Sequence, residues 1–151
     1  MKHLRKLYLV SFNVGCLGFL PCLERFGKEQ QRCLQKLYIV GCHGVNSRVL
    51  SNSANITTLQ ELSVHNLGDA DIVTSEITQF TQHVAEMSEL TQLDIARIKL
   101  TDEAVGNIIA CKTLKTLIMY NTFISEEGRV LLKQHINDVQ IYNSNRFNVE
   151  N

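Results

Sequence analysis

A short apolar pattern recurs along the whole chain and constrains its fold more than any other feature. The pattern is L-x-x-L-x-L, with Ile, Val or Met accepted at some positions, and Leu90, Leu93 and Ile95 carry a clear copy. The six copies begin at Leu4, Leu34, Leu59, Leu90, Leu114 and, in degraded form, Ile136. A unit of this length cannot bury its apolar face alone, so the recurrence predicts units that stack on one another.

The spacing of the copies indicates what each unit contains. Successive copies begin 30, 25, 31, 24 and 22 residues apart. Alternation of apolar residues within each copy is typical of a strand with one buried face. The remaining length of a unit accommodates a turn and a helix of roughly two to four turns. We therefore expect each unit to be one short strand that feeds a helix.

Helix start signals support this division. Thr101 and Ser125 are residue types favoured at a helix N-cap. Each is followed by two acidic residues, Asp102-Glu103 and Glu126-Glu127, which suit the positive end of the helix dipole. These patterns predict helices that begin directly after Thr101 and Ser125.

Three further helices are expected upstream. Pro21 suits the first turn of a helix over about 22–31, because a backbone N–H at this position would have no hydrogen-bond partner within the helix. A short helix is predicted near 47–53, before the third strand. An apolar stripe at helical spacing predicts the third helix. The stripe consists of Ile77, Phe80, Val84 and Met87.

Residues 98–117, IKLTDEAVGNIIACKTLKTL, resemble the helix-bearing classes of the leucine-rich repeat family, ribonuclease-inhibitor-like or cysteine-containing. Those classes typically read C-x-x-(I/L)-T-D-x-(A/G), then a helix of small residues, then C-x-x-L-x-x-L, and Cys111-Lys-Thr-Leu114 fits the last element. The resemblance covers nearly the whole chain. It implies an α/β leucine-rich repeat solenoid of about six repeats, with a curved parallel β-sheet on the concave side and helices on the convex side.

The chain departs from the family pattern at one inward position, which is Asn or Cys in the family. The residues found there are Phe12, Cys42, Leu67, Ile98, Thr122 and Ser144. Only Cys42 conforms, which leaves the subclass open. Apolar residues can also fill the interior, so the expected architecture is unaffected.

We expect one repeat domain over 1–143 and a polar tail over 144–151, because no Pro/Gly linker or composition shift divides the chain. Neither end shows the polar capping unit that solenoids normally need. This suggests a fragment of a longer protein. The alternative is a small solenoid capped by its own end helix.

Composition argues against several classes of protein. Fifteen basic and fifteen acidic residues cancel, which gives no general attraction to nucleic acid or an anionic membrane. No apolar run approaches the roughly 20 residues of a membrane span, and the N-terminal apolar stretch reads as the first repeat rather than a signal peptide. Five cysteines without a C-x-x-C favour buried thiols in a reducing compartment, and we expect a cytoplasmic protein.

Catalytic and metal-binding patterns are absent from the sequence. There is no nucleophile elbow, Gly-rich phosphate loop, paired-carboxylate constellation or HExxH. Cys42-His43 is the one Cys/His neighbour pair, and adjacent residues of a strand or turn point in opposite directions. We expect no enzyme activity, no cofactor and no metal.

The strand pattern predicts a binding surface. If the repeated leucines face the core, the residues between them face outward on the sheet, and all four tyrosines of the chain fall in this outward set. Tyrosine is enriched at protein interfaces, although aromatic residues also simply favour strands. The predicted partner-binding residues on the concave face are Tyr8, Lys36, Tyr38, Glu61, His65, Asp94, Arg97, Tyr120 and Tyr142.

These features favour a non-enzymatic protein–protein recognition module that binds through its concave face. The resemblance implies the ligand-sensing repeat region of an intracellular NOD-like receptor of innate immunity. One alternative is the substrate-recognition repeats of an F-box-type ubiquitin ligase subunit. Another is a structural or autoinhibitory repeat domain that covers flanking domains of its own chain.

Overall fold

The computed structural model describes residues 4–11, 21, 33–66 and 74–142. Six parallel strands form one open sheet in the order in which they occur along the chain. The strands are β1 (Lys6–Val10), β2 (Lys36–Cys42), β3 (Glu61–Asn66), β4 (Gln92–Ala96), β5 (Thr116–Tyr120) and β6 (Asp138–Tyr142). Each strand lies within one copy of the repeated pattern, as the alternation predicts.

Four helices occur in the described part of the chain. They are α1 (Ser47–Ala54), α2 (Thr74–Ala85), α3 (Asp102–Ala110) and α4 (Glu126–His135). The two predicted N-caps are confirmed: the Thr101 hydroxyl accepts a hydrogen bond from the Ala104 N–H, and the Ser125 hydroxyl accepts one from Gly128. The helix predicted over 22–31 lies outside the described residues.

The apolar stripe that predicts the third upstream helix is buried, but it extends past the end of α2. Ile77, Phe80 and Val84 are buried residues of α2. Met87 is also buried, at 1% exposure, but it follows the end of α2. Apolar periodicity therefore identifies the buried side of this segment correctly and extends two residues beyond the C-terminal end of the helix.

Strand register places the core on one face of the sheet. Equivalent leucines lie side by side, with Leu37 beside Leu62, Leu62 beside Leu93, and Leu93 beside Leu117. These side chains are at most 1% exposed, and they join the buried residues of the helices in one cluster. The helices thus cover one face of the sheet. This confirms the α/β class and is compatible with a repeat solenoid.

The second strand extends beyond its copy of the repeated pattern. That copy ends at Ile39, but β2 continues to Cys42, with an irregular register between Ile39 and Cys42. Gly41 has a φ of 63°, a conformation that glycine adopts without steric cost. This bend turns the Cys42 side chain inward, where its Sγ lies 3.3 Å from the Leu9 carbonyl oxygen.

The inward position where the chain departs from the repeat-family pattern is buried wherever it is described. Cys42 is completely buried, and Ile98 and Thr122 are 1% and 3% exposed. The Thr122 hydroxyl is satisfied by the Tyr120 carbonyl oxygen, 3.3 Å away. A thiol, an aliphatic chain and a hydrogen-bonded hydroxyl therefore fill equivalent sites. The other three residues at this position lie outside the described residues.

The chain leaves several strands through the same left-handed bend. Ser11, Arg97 and Asn121, directly after β1, β4 and β5, have φ values of 54°, 57° and 49°. The N–H of each donates to a carbonyl of the next strand, on Val40, Tyr120 and Tyr142 respectively. One more rung is thereby added to the sheet before the chain turns away.

Within residues 4–11, 33–66 and 74–142, no helix combines the length and the apolar character that a membrane span requires. The predicted polar tail over 144–151 lies outside the described residues.

Candidate interaction face

The strand side chains that point away from the helices form a surface that we call the open face. Pairing in register arranges them in three rows across the sheet, the third of which is interrupted between β2 and β3 by the irregular register of β2. Every predicted site residue except Arg97 lies in these rows. The first row is Lys6, Lys36, Glu61, Gln92, Thr116 and Asp138. The second is Tyr8, Tyr38, Ser63, Asp94, Ile118 and Gln140. The third is Val10, Val40, His65, Ala96, Tyr120 and Tyr142.

The four tyrosines form two stacked pairs, one at each side of the open face. The Tyr8 and Tyr38 rings are stacked with their centroids 4.4 Å apart and an interplanar angle of 3°. The Tyr120 and Tyr142 rings are stacked at 4.8 Å and 13°. These separations match the distance of about 4.8 Å between neighbouring strands, so the strand register itself produces the stacks.

A histidine extends the second stack across a small residue. His65 and Tyr120 lie on strands two apart, separated in their row by Ala96. Backbones two strands apart are roughly 9.5 Å from each other. The ring centroids are nevertheless only 5.6 Å apart, with an interplanar angle of 59°, so the two rings lean towards each other across the position of Ala96. Ala96 is 6% exposed, so a larger residue there would force the rings apart.

Glu61 connects the first tyrosine pair to a lysine. Its Oε1 accepts a hydrogen bond from Lys36 Nζ, and its Oε2 accepts one from the Tyr38 hydroxyl. Burial alone would raise the pKa of Glu61, but the hydrogen bonds from Lys36 and Tyr38 outweigh it and lower the pKa below its usual value. Burial, together with the neighbouring carboxylate, raises the pKa of Tyr38 well above its ordinary value. Glu61 is therefore held ionised and Tyr38 neutral.

Asp94 forms a second polar group in the middle of the open face. Its Oδ2 accepts a hydrogen bond of 3.0 Å from the Ser63 hydroxyl, and its Oδ1 accepts one of 2.8 Å from Nε2 of His65. In a catalytic serine triad, histidine lies between serine and carboxylate. Here the carboxylate lies between the other two, and Ser63 is 1% exposed. The arrangement positions Asp94 and does not activate Ser63.

A chain of hydrogen bonds along β6 completes the open face. The Tyr142 hydroxyl donates to Oε1 of Gln140, and Nε2 of Gln140 donates to Oδ2 of Asp138, both at 2.9 Å. Asp138 itself is exposed. The outer tyrosine of the second stack is thus tied to an acidic residue at the edge of the sheet.

The structure places Arg97 differently from the other predicted site residues. It follows β4 in the left-handed bend, is exposed, and contacts Tyr120 through its backbone N–H, with an N–O distance of 2.8 Å. Ser63 and Ala96, in contrast, are not among the predicted site residues. Ser63 holds Asp94 by a hydrogen bond, and Ala96 leaves room for the rings of His65 and Tyr120. The feature of the sequence that could have identified them is their small size at outward strand positions.

Clusters of three or more His, Cys, Asp or Glu side chains suited to a metal ion do not occur among the described residues. Of the thiols expected to be buried, Cys42 and Cys111 are buried, whereas Cys33 is only partly buried.

Comparisons with known proteins do not identify this chain. A scan against models of protein families found no match, and a search among curated proteins found none. Its function is therefore inferred from the geometry of the open face.

Proposed function

We propose that the open face binds another protein and that the chain is a non-enzymatic recognition module of the leucine-rich repeat type. One observation carries the proposal: all four tyrosines lie on this face, in two stacks that hold the rings in place. Tyrosine combines a large apolar area with a hydroxyl group and is common at interfaces between proteins.

The stacks favour binding because the rings are ordered before a partner arrives. Tyr8, Tyr120 and Tyr142 remain 58%, 37% and 48% exposed, so each still offers area to a partner. Ordering a free side chain on binding costs roughly 0.5–1.5 kcal/mol. Rings already fixed by stacking avoid much of that cost.

Charged side chains in the first row of the open face set the orientation of a bound partner. Lys6 and Lys36 lie at one side of the first row, and Asp138 lies at the other side. Complementary charge sets the orientation of a partner more than it adds affinity. A dipolar protein surface fits this face better than the phosphates of a nucleic acid, because the positive and negative charges lie at opposite sides of the row.

The receptor class follows from the sequence resemblance alone. On that basis we assign the module to the ligand-sensing repeats of an intracellular receptor of the NOD-like, innate-immune kind. An intramolecular role as packing surface is the second candidate, because Val130 and Leu131 of α4 are 46% and 40% exposed and Phe123 is 75% exposed. Apolar side chains exposed in this way can contact a flanking domain.

Tyr120→Ala tests the proposed binding face. We expect the affinity for a partner isolated by pull-down to fall roughly tenfold or more, because a few aromatic anchors carry most of the energy of an interface. The free energy of unfolding should fall by only about 0.5–1 kcal/mol, the contribution of a cross-strand pair. Affinity is measured by titration and stability by denaturant unfolding.

Lys112→Ala is the matched control. Lys112 is exposed in the turn after α3, away from the open face. Its replacement should change neither the affinity for the partner nor the free energy of unfolding. If Lys112→Ala abolished binding while Tyr120→Ala had no effect, the assignment of the binding face would be wrong. Tyrosines that serve only the sheet would leave affinity unchanged in both variants.

A further inference from the structure

Two carboxylates lie in the middle of the open face, and they differ in their partners. Glu61 is paired with the Lys36 ammonium and also accepts from the Tyr38 hydroxyl. Asp94 accepts from the Ser63 hydroxyl and the His65 imidazole. No lysine or arginine in the described ranges forms an ion pair with Asp94. The negative charge of Asp94 is therefore the one available to an external cation.

The carboxylate of Asp94 is oriented in advance. Each of its oxygens accepts one hydrogen bond from within the protein, and a carboxylate oxygen can accept about two. One acceptor position thus remains on each oxygen. Two parallel acceptors match the fork of N–H groups on an arginine guanidinium, which binds carboxylates in a bidentate manner.

Aromatic rings border the same carboxylate. His65 contacts Asp94 directly, and its ring lies 5.6 Å from that of Tyr120, which in turn stacks on Tyr142. Guanidinium groups stack on aromatic faces, whereas the lysine ammonium is a strongly hydrated point charge. The Asp94 side chain is only 16% exposed, and partial enclosure strengthens the attraction between charges.

We propose that Asp94, His65 and Tyr120 form the subsite for an arginine side chain of the bound protein. The proposal rests on the proposed function, because it assigns the chemistry of the partner that docks on the open face. The partner segment presents arginine to strands β3 to β5. Lys6, on β1, repels a second cation and so sets the direction in which the segment lies.

Acetyl-arginine amide is the probe, titrated into the whole chain and followed by backbone NMR. We expect saturable shifts at Ser63, Asp94 and Tyr120, with a dissociation constant on the order of millimolar. Asp94→Asn keeps the size of the side chain but removes its charge, and it should weaken binding roughly tenfold or more. Glu103→Gln, which removes an exposed carboxylate from α3 on the helical side of the sheet, is the matched control and should leave binding unchanged.

Acetyl-citrulline amide has nearly the same shape as the probe without its charge and should produce no saturable shifts. Equal binding of both amides, or unchanged arginine binding by Asp94→Asn, would overturn the proposal. If Asp94→Asn does not fold, Tyr120→Leu provides the second test. This variant keeps the carboxylate and should weaken binding about threefold through loss of the ring; unchanged binding would equally overturn the proposal.

The partner isolated by pull-down separates this proposal from the proposed function. An affinity lowered by Tyr120→Ala but not by Asp94→Asn leaves the binding face in place and refutes the arginine subsite. An affinity insensitive to Tyr120→Ala refutes the binding face, even where acetyl-arginine amide still shifts Asp94. Loss of affinity in both Tyr120→Ala and Asp94→Asn supports the binding face and the arginine subsite together.

Discussion

At the scale of single residues, the open face depends on small side chains as much as on aromatic ones. Ala96 allows His65 and Tyr120 to approach, and Ser63 donates to Asp94 without filling the space that a partner would need. The charged residues are held in the same way, by hydrogen bonds between neighbouring strands. Individual side chains on this face are therefore ordered by their neighbours and not by their own conformational preferences.

Glu61→Gln tests that ordering through its dependence on pH. The pKa of Glu61 is lower in the folded protein than in the unfolded chain, so ionised Glu61 stabilises the fold above the unfolded pKa. This contribution is lost as the pH falls through the folded pKa. At pH 7 the substitution should lower the free energy of unfolding by about 1 kcal/mol. The effect is modest because water partly screens the charges of Lys36 and Glu61.

The difference between wild type and Glu61→Gln should shrink as the pH falls below about 4, measured by denaturant unfolding at a series of pH values. Glu89→Gln is the control, because Glu89 is exposed in the turn before β4. It should change stability by less than about 0.5 kcal/mol. A difference for Glu61→Gln that grew towards acid would contradict the assigned partners.

At the scale of elements, α3 and α4 are each fixed by a cap on the first turn and by contact with the preceding helix. The Ser125 hydroxyl accepts from the Gly128 N–H and donates to Oδ1 of Asp102, 2.6 Å away, which links the starts of α3 and α4. The two glycines in these helices have different surroundings. A Cβ at Gly106 would meet no atom within 4 Å, whereas one at Gly128 would lie 3.0 Å from Ser125 Oγ and 3.3 Å from Val105 Cγ2.

Gly106→Ala should therefore stabilise the protein by about 0.5–1 kcal/mol, because alanine loses less backbone freedom on folding. Gly128→Ala carries the same benefit but crowds the cap and the neighbouring helix, so it should stabilise less or destabilise. Both variants are compared by denaturant unfolding. Equal stabilisation by the two would show that α3 and α4 pack less closely than the structure indicates.

At the scale of the whole molecule, one continuous core holds the repeats together. Its centre is the row of inward leucines, in which Leu93 and Leu117 are completely buried on adjacent strands, as the repeat pattern predicts. Because each strand packs only beside its neighbours in sequence, damage at a middle strand separates the two halves of the sheet.

Leu93→Ala should lower the free energy of unfolding by about 2–5 kcal/mol, the usual cost of such a cavity. Leu131→Ala is the matched control, because Leu131 is 40% exposed on α4 and should cost less than about 1 kcal/mol. Denaturant unfolding measures both. A cost below about 1 kcal/mol for Leu93→Ala would mean that the core row is wrongly assigned.

The sequence by itself determined the strands, the starts of α3 and α4, and the face on which each tyrosine lies. These features depend on neighbouring residues: alternation across Leu93 and Ile95 sets the faces of β4, and Thr101 caps the helix that follows it. The extension of β2 to Cys42 was not predicted, because a bulge depends on the strands on either side.

The contacts within the candidate site were decided by tertiary structure alone. Asp94 meets Ser63 and His65, which lie 31 and 29 residues earlier in the chain, and Tyr120 stacks on Tyr142. Side-chain contacts of this kind depend on strand register and on the size of the residue between two rings. Alternation specifies which face a side chain occupies. Only the packing of neighbouring strands specifies which side chain it touches.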